Sequence, residues 1–89
     1  MDEMTEETRV LSEISQILSE LFGIDPDNLT AETPREEIPA WDSLHHLNLV
    51  MDVERHFAIR LTEDRIAAVG NVGDLVACVI TALQEQRRS

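Results

Sequence analysis

The stretch Trp41-Asp42-Ser43-Leu44-His45-His46-Leu47-Asn48-Leu49-Val50-Met51-Asp52-Val53-Glu54 decides the fold of this 89-residue chain. At about 100° per residue on a helical wheel, His46, Leu49, Val50, Val53 and Phe57 fall on one side, wide enough to face a core. Leu44, Leu47 and Met51 fall nearly opposite. The spacing predicts a helix from about Ser43 to Phe57 with two apolar sides, whereas a small bundle has one core to offer. The second stripe then meets solvent or a partner, since a small exposed apolar patch with acids nearby has the character of a docking surface. The alternative is that it packs beneath the long loop that precedes it.

Asp42 is a good N-cap for this helix. Ser43 follows at the helix N-terminal end, where free N–H groups and the positive end of the dipole favour a phosphate ester. Asp42 could also help hold a divalent cation during phosphoryl transfer. The same two residues are equally read as capping residues and nothing more, which is the commoner meaning of Asp-Ser before an apolar run. Trp41 precedes the cap, the place of a hydrophobic staple, and its partner would be His46. Stacking of Trp41 on a ligand is the other reading.

Three further helices flank this one. Val10, Leu11, Ile14, Ile17, Leu18, Leu21 and Phe22 recur at three- and four-residue steps, with Thr5 as N-cap, Glu6 and Glu7 in the first turn and Gly23 as the stop. Residues 23–41 hold all three prolines and form a long loop, which Leu29 and Ile38 are expected to pin to the core in an ordered state. A short helix starts after the N-cap Thr62 and stops before Gly70. The last opens at Asn71 with Asp74 three residues on, a pair resembling a capping box, and its stripe is Val72, Leu75, Val76, Val79, Ile80 and Leu83. Arg87 and Arg88 suit its C-terminal end. Only Ala58 to Leu61 could be a strand, and it is too short. The fold class is all-α: a small four-helix bundle of three main helices and one short one, as a single domain over residues 1–89, with residues 1–4 a frayed acidic tail.

Composition narrows the function. A chain of 10.1 kDa buries only about 60% of its unfolded surface, leaving little room for a deep catalytic cleft, so a self-contained enzyme is not expected. Eighteen acids against seven bases give a net charge of -11, which repels nucleic-acid phosphates and anionic lipid and attracts a basic protein patch. The acidity is uneven: residues 1–54 carry 14 acids and 2 arginines, residues 55–89 carry 4 acids and 5 arginines. One cysteine excludes an internal disulfide framework and a cysteine-based zinc site and suits the cytoplasm. No export signal is visible, and Leu75 to Leu83, the longest mostly apolar run, is far short of the roughly 20 residues of a membrane helix. No dimer seam is visible, so a monomer is expected.

Asp42-Ser43-Leu44, followed by an apolar helix ending in Glu54 to Phe57-Ala58-Ile59, resembles the acyl carrier proteins of fatty-acid and polyketide synthesis. The resemblance runs over nearly the whole chain, from the long first helix through the Pro-containing loop to the last helix. Trp41 and His46 match a sub-group of free-standing carriers with a Trp-Asp-Ser-Leu-x-His pattern. The family bears 4′-phosphopantetheine on the serine of this motif, so the resemblance implies attachment at Ser43, with Asp42 and Leu44 completing the motif. It further implies a phosphopantetheinyl transferase that moves the arm from coenzyme A with Mg²⁺ in the transferase's own site. The terminal thiol of the arm then holds an acyl or aminoacyl group as a thioester for presentation to a loading enzyme, a ketosynthase or another acyltransferase with a basic patch. Leu44, Leu47, Asn48 and Met51 are the expected docking residues, and the chain has no catalytic residue of its own. Positions 45 and 48, commonly acidic in fatty-acid carriers, are His45 and Asn48 here, and Arg55 and His56 follow. These departures favour a dedicated carrier of a polyketide or other secondary pathway over the housekeeping fatty-acid carrier.

Other candidates are weaker. His45, Asp52 and His56 share a helix side, but eleven residues at about 1.5 Å each put the two histidines roughly 16 Å apart, too far for one metal ion. Ser43 with His45 or His46 lacks the strained Gly-x-Ser-x-Gly elbow and an orienting third group of a hydrolase. Cys78 lies off its helix's stripe and needs no redox role. The competing function is a non-carrier adaptor that binds a basic partner through Leu44, Leu47 and Met51 with Ser43 unmodified.

Overall fold

The computed structural model describes residues 5–38 and 41–88, and of Ser43 and Leu44 it describes the backbone only. The expected tail at residues 1–4 lies outside the described residues. Four α-helices follow one another: α1 (Glu6–Phe22), α2 (Ser43–Phe57), α3 (Glu63–Ala67) and α4 (Val72–Arg88). Among the described residues there is no strand, and single-turn 3₁₀ segments at Pro26–Asn28 and Arg35–Glu37 punctuate the first loop. The all-α bundle of three long helices and one short one is the architecture that the periodicity predicts.

Local chemistry sets the helix ends. The Thr5, Asp42 and Thr62 side chains accept from the N–H groups of Thr8, His45 and Arg65, each three residues on, which satisfies one otherwise orphaned donor per helix. Gly23 ends α1 in the left-handed region at φ 68°, a conformation that costs glycine nothing. Ala58 ends α2 the same way at φ 55°, where its Cβ does carry a steric cost. Glu54 offsets it by accepting from the N–H of Leu61 at 2.8 Å, which ties the segment after α2 back onto the helix.

α1 packs chiefly on α4 and next on α2. Ile14, Leu18, Leu49, Val53, Val72, Leu75 and Val79 are fully enclosed, and Leu29 and Ile38 fasten the first loop to them. Leu21, expected in the stripe of α1, is exposed instead, while Phe22 beside it packs against the core. Ala82 is buried in α4, where Ile80 and Leu83 are only partly covered.

The loop does more than span a gap. Carbonyls of Thr33 and Ala31 accept from Val72 and Gly73 N–H at 3.0 and 2.7 Å, and the Asn71 side chain accepts from Asp74 N–H at 2.7 Å. The first turn of α4 is therefore capped by distant backbone as well as by its own residue. The expected capping box closes one residue further back, since the Asp74 carboxylate accepts from the N–H of Gly70 and not of Asn71. A Cβ on Gly73 would lie 2.8 Å from the Ala31 carbonyl oxygen, so the close approach of loop to helix requires glycine there.

Candidate functional site

α2 sorts its side chains as the wheel requires. His46, Leu49, Val50 and Val53 are buried, whereas Leu47 and Met51 on the opposite side are 62% and 55% exposed. The loop does not cover these two, so packing beneath it is excluded for Leu47 and Met51; the side chain of Leu44 lies outside the described residues. Asn48 and His45 are exposed beside them. Ser43 is the first residue of α2, and the residues on both sides of its turn, Asp42 and His45, face solvent.

Three carboxylates along this surface face bases. Asp42 Oδ1 lies 2.8 Å from His45 Nδ1, Arg55 Nη1 lies 3.8 Å from Asp52, and His56 Nε2 lies 2.6 Å from Glu13 of α1. His45, Asp52 and His56 are thus engaged with different partners and do not converge. Among the described residues no group of three or more His, Cys, Asp or Glu side chains is placed to hold a metal ion.

Behind the first turn stands a polar pair inside the core. Trp41 is 3% exposed and its indole N–H donates to His46 Nδ1 at 2.8 Å, the two rings stacked with centroids 6.1 Å apart. These are the positions flanking the cap that a hydrophobic staple uses, here with a hydrogen bond added. An indole can only donate, so His46 is the neutral tautomer with its proton on Nε2. That N–H is buried without a hydrogen-bond partner among the described residues, although the Ile66 carbonyl lies on its side. Burial, followed by the nearby Arg35 charge, holds the His46 pKa below its ordinary value.

A lowered histidine pKa has a defined sign. The unfolded chain binds the proton more readily, so the stability is complete above the ordinary value of 6.5 and falls as pH drops from there through the lowered native value. Urea midpoints measured from pH 7.5 to 5.5 should fall for the natural chain, and fall less for His46→Asn, whose amide oxygen can still accept from Trp41. Equal slopes would show that His46 is not protonated more easily on unfolding.

Away from this end, Arg65 makes a two-point contact with Glu85 at 3.1 and 2.6 Å, which joins α3 to α4. That contact raises the Arg65 pKa and lowers that of Glu85. Cys78 Sγ faces the Arg65 carbonyl at 3.6 Å, and burial pushes its thiol pKa up, which makes it less reactive. Among the described residues no helix is long and apolar enough to cross a membrane.

Sequence reasoning missed Arg35, whose guanidinium carbon sits 5.7 Å from the Trp41 ring centroid. Its only local signal was to be one of two bases among the first 54 residues.

Comparison with known proteins joins this geometry to chemistry. A family model described as "Phosphopantetheine attachment site" matches residues 12–79. The acyl carrier protein of an Exiguobacterium species is 32% identical over 80 residues, which span 90% of this chain and all of that protein. The crystal structure of the Thermotoga maritima acyl carrier protein superposes with a TM-score of 0.81 at 29% identity, covering 96% of this chain and 99% of that one. The solution structure of holo acyl carrier protein from Geobacter metallireducens gives 0.79 at 34% identity, covering 89% and 91%.

Proposed function

The chain belongs to the phosphopantetheine attachment family of acyl carrier proteins, and from that premise we propose that Ser43 bears the arm. The group is 4′-phosphopantetheine, and the protein is a carrier that other enzymes act upon. The observation that carries Ser43 is its place at the first residue of α2, between solvent-facing Asp42 and His45.

When bound, the arm supplies a thiol that holds an acyl or aminoacyl group as a thioester. The chain's own residues do the positioning. The positive end of the α2 dipole favours a phosphodiester on its first residue, and Asp42 keeps the helix from fraying there. Leu47 and Met51 form a small apolar grip beside Asn48, the sequence position of Leu44 adds it to the docking residues, and the acidic first half of the chain steers basic partners toward them. Such a contact is fast and weak, which suits a protein that must visit several enzymes in turn. The partners are a phosphopantetheinyl transferase, which uses Mg²⁺ in its own site, and a loading enzyme, ketosynthase or other acyltransferase. The chain acts as one carrier domain and as a monomer, and its lone thiol supports a cytoplasmic setting.

We assign the carrier to a polyketide or other secondary pathway. Support comes from the outward side of α2, where His45, Asn48, Arg55 and His56 are all exposed and Asp42, Asp52 and Glu13 each face a basic side chain. The mass of the group loaded on the arm in the native host tests this: a polyketide-type or aminoacyl unit is expected, and a series of long saturated fatty acyl chains would contradict it.

Intact mass after incubation with coenzyme A, Mg²⁺ and a broad-range transferase tests the carrier reading itself. The gain of one phosphopantetheine is expected; a folded sample with no gain would contradict it. Leu47→Glu should slow transferase loading at least about tenfold, equivalent to about 1.4 kcal/mol, with the melting temperature almost unchanged. A large drop in melting temperature would instead place Leu47 in the core.

A further inference from the structure

The loop before α2 presents a cation in the most acidic part of the chain. Arg35 is flanked in sequence by Glu36 and Glu37, yet among the described residues no carboxylate lies within 4 Å of it, as with Arg9, Arg60 and Arg88 and unlike Arg55, Arg65 and Arg87. Its Nε–H is directed at the Trp41 carbonyl at 3.4 Å, and its guanidinium stands over the Trp41 ring. Since Trp41 is buried and hydrogen-bonded to His46, this platform is rigid. Stacking and the Nε contact leave the two terminal nitrogens of the guanidinium to other acceptors.

Arg35 lines an open recess of about 420 Å³ together with Glu36, Ile38, Trp41, Asp42, Val69 and Gly70. The lining has apolar surface for a ligand's body and a single cation for its charge. Its carboxylates compete little: Asp42 and Glu36 are exposed to water, and Asp42 already accepts from the His45 N–H and faces the His45 ring. The backbone that Arg35 contacts is two residues from Ser43, about 7 Å of chain.

We propose that Arg35 binds an oxyanion delivered by the arm on Ser43, either the phosphodiester of the arm or a carboxylate at the end of a short cargo folded back into the recess. This rests on the assignment of Ser43 as the attachment point. Both sources offer paired oxygens to a guanidinium fork, the pairing arginine makes best. A long aliphatic chain in the same recess would instead strip water from the guanidinium with no compensating acceptor.

Melting temperatures of the apo, holo, acetyl-loaded and malonyl-loaded forms of the natural chain, Arg35→Gln and Arg35→Lys test this, with intact mass confirming each form. In the natural chain one loaded form should gain about 2–5 °C over the form lacking its anion, the size of one partly exposed charge pair in so small a domain. A gain on passing from apo to holo identifies the phosphodiester. A gain that appears with malonyl and not with acetyl identifies the carboxylate. In either case Arg35→Gln should lose the gain and Arg35→Lys should keep part of it. The same increments in the natural chain and Arg35→Gln across all four forms would overturn the proposal. Failure of the mass gain itself would strike the Ser43 assignment and not Arg35.

Discussion

Ser43→Ala should abolish phosphopantetheine loading, leaving no detectable mass gain after incubation that modifies the natural chain completely. The expected loss is total because alanine has no oxygen to accept the phosphoryl group, and no other serine lies in the first turn of any of the four helices. Stability should hardly change. Asp42, not Ser43, makes the capping hydrogen bond to the His45 N–H, and alanine is the better helix former at a position already inside the helix. Circular dichroism of the variant should therefore show an intact helical fold with a melting temperature within about 4 °C of the natural chain, equivalent to a surface change of about 0.5 kcal/mol. An unfolded variant would leave the loading result without meaning, so the two measurements belong together. Continued loading of folded Ser43→Ala would place the arm elsewhere.

Trp41→Ala should be the most destabilising of the substitutions considered for this end of the bundle. The indole is 3% exposed, so its removal leaves a cavity worth about 3–5 kcal/mol. It also leaves His46 Nδ1 buried with no donor, in a ring whose Nε2 has no hydrogen-bond partner among the described residues. Arg35 would lose its stacking platform as well. Against a total stability near the low end of about 5–15 kcal/mol for a domain this small, the variant should melt some 15–30 °C lower or fail to fold. Trp41→Phe keeps an aromatic ring and removes the N–H with part of the bicycle's volume, so a cost smaller than that of Trp41→Ala is expected, of which the lost hydrogen bond accounts for about 1–3 kcal/mol. If Trp41→Ala stayed within about 1 kcal/mol of the natural chain, the ring would not be holding the loop to α2.

Much of this was legible in the sequence because it is written in local chemistry. The bounds of α2 follow from a cap at Asp42 and an apolar pattern that runs out at Phe57, and the exposure of Leu47 and Met51 follows from their angle on the wheel. Trp41 and His46 bracket the cap at staple spacing, so even their contact could be read; the hydrogen bond that fixes the His46 tautomer could not, because ring orientation depends on three dimensions. What was hidden is non-local. Nothing near Val72 or Gly73 announces that the carbonyls of Thr33 and Ala31 will cap them. His56 meets Glu13 across 43 residues, so this contact between α1 and α2 appears only after folding. Leu21 follows its helix's stripe and still emerges into solvent, because periodicity describes a helix and not the extent of what packs against it. Ala82 errs the other way: a small side chain adds little to an apolar stripe, yet fits where two helices approach closely.

The side chains near the first turn of α2 agree with a composition that leaves little room for a deep catalytic cleft. The surface histidines are engaged by Asp42 and Glu13, and His46 is enclosed with its Nδ1 taken by Trp41. The chemistry of the carrier resides in the group it bears, and the fold contributes a tether, a rigid first turn and a grip for enzymes.

The most direct measurement of the account is peptide-level mass mapping of the chain after loading from coenzyme A. The added phosphopantetheine should fall on the peptide containing Ser43 and fragment to that residue, at one group per chain. Its appearance on another serine, such as Ser12 or Ser19 of α1, or on the thiol of Cys78, would contradict the assignment on which the rest depends.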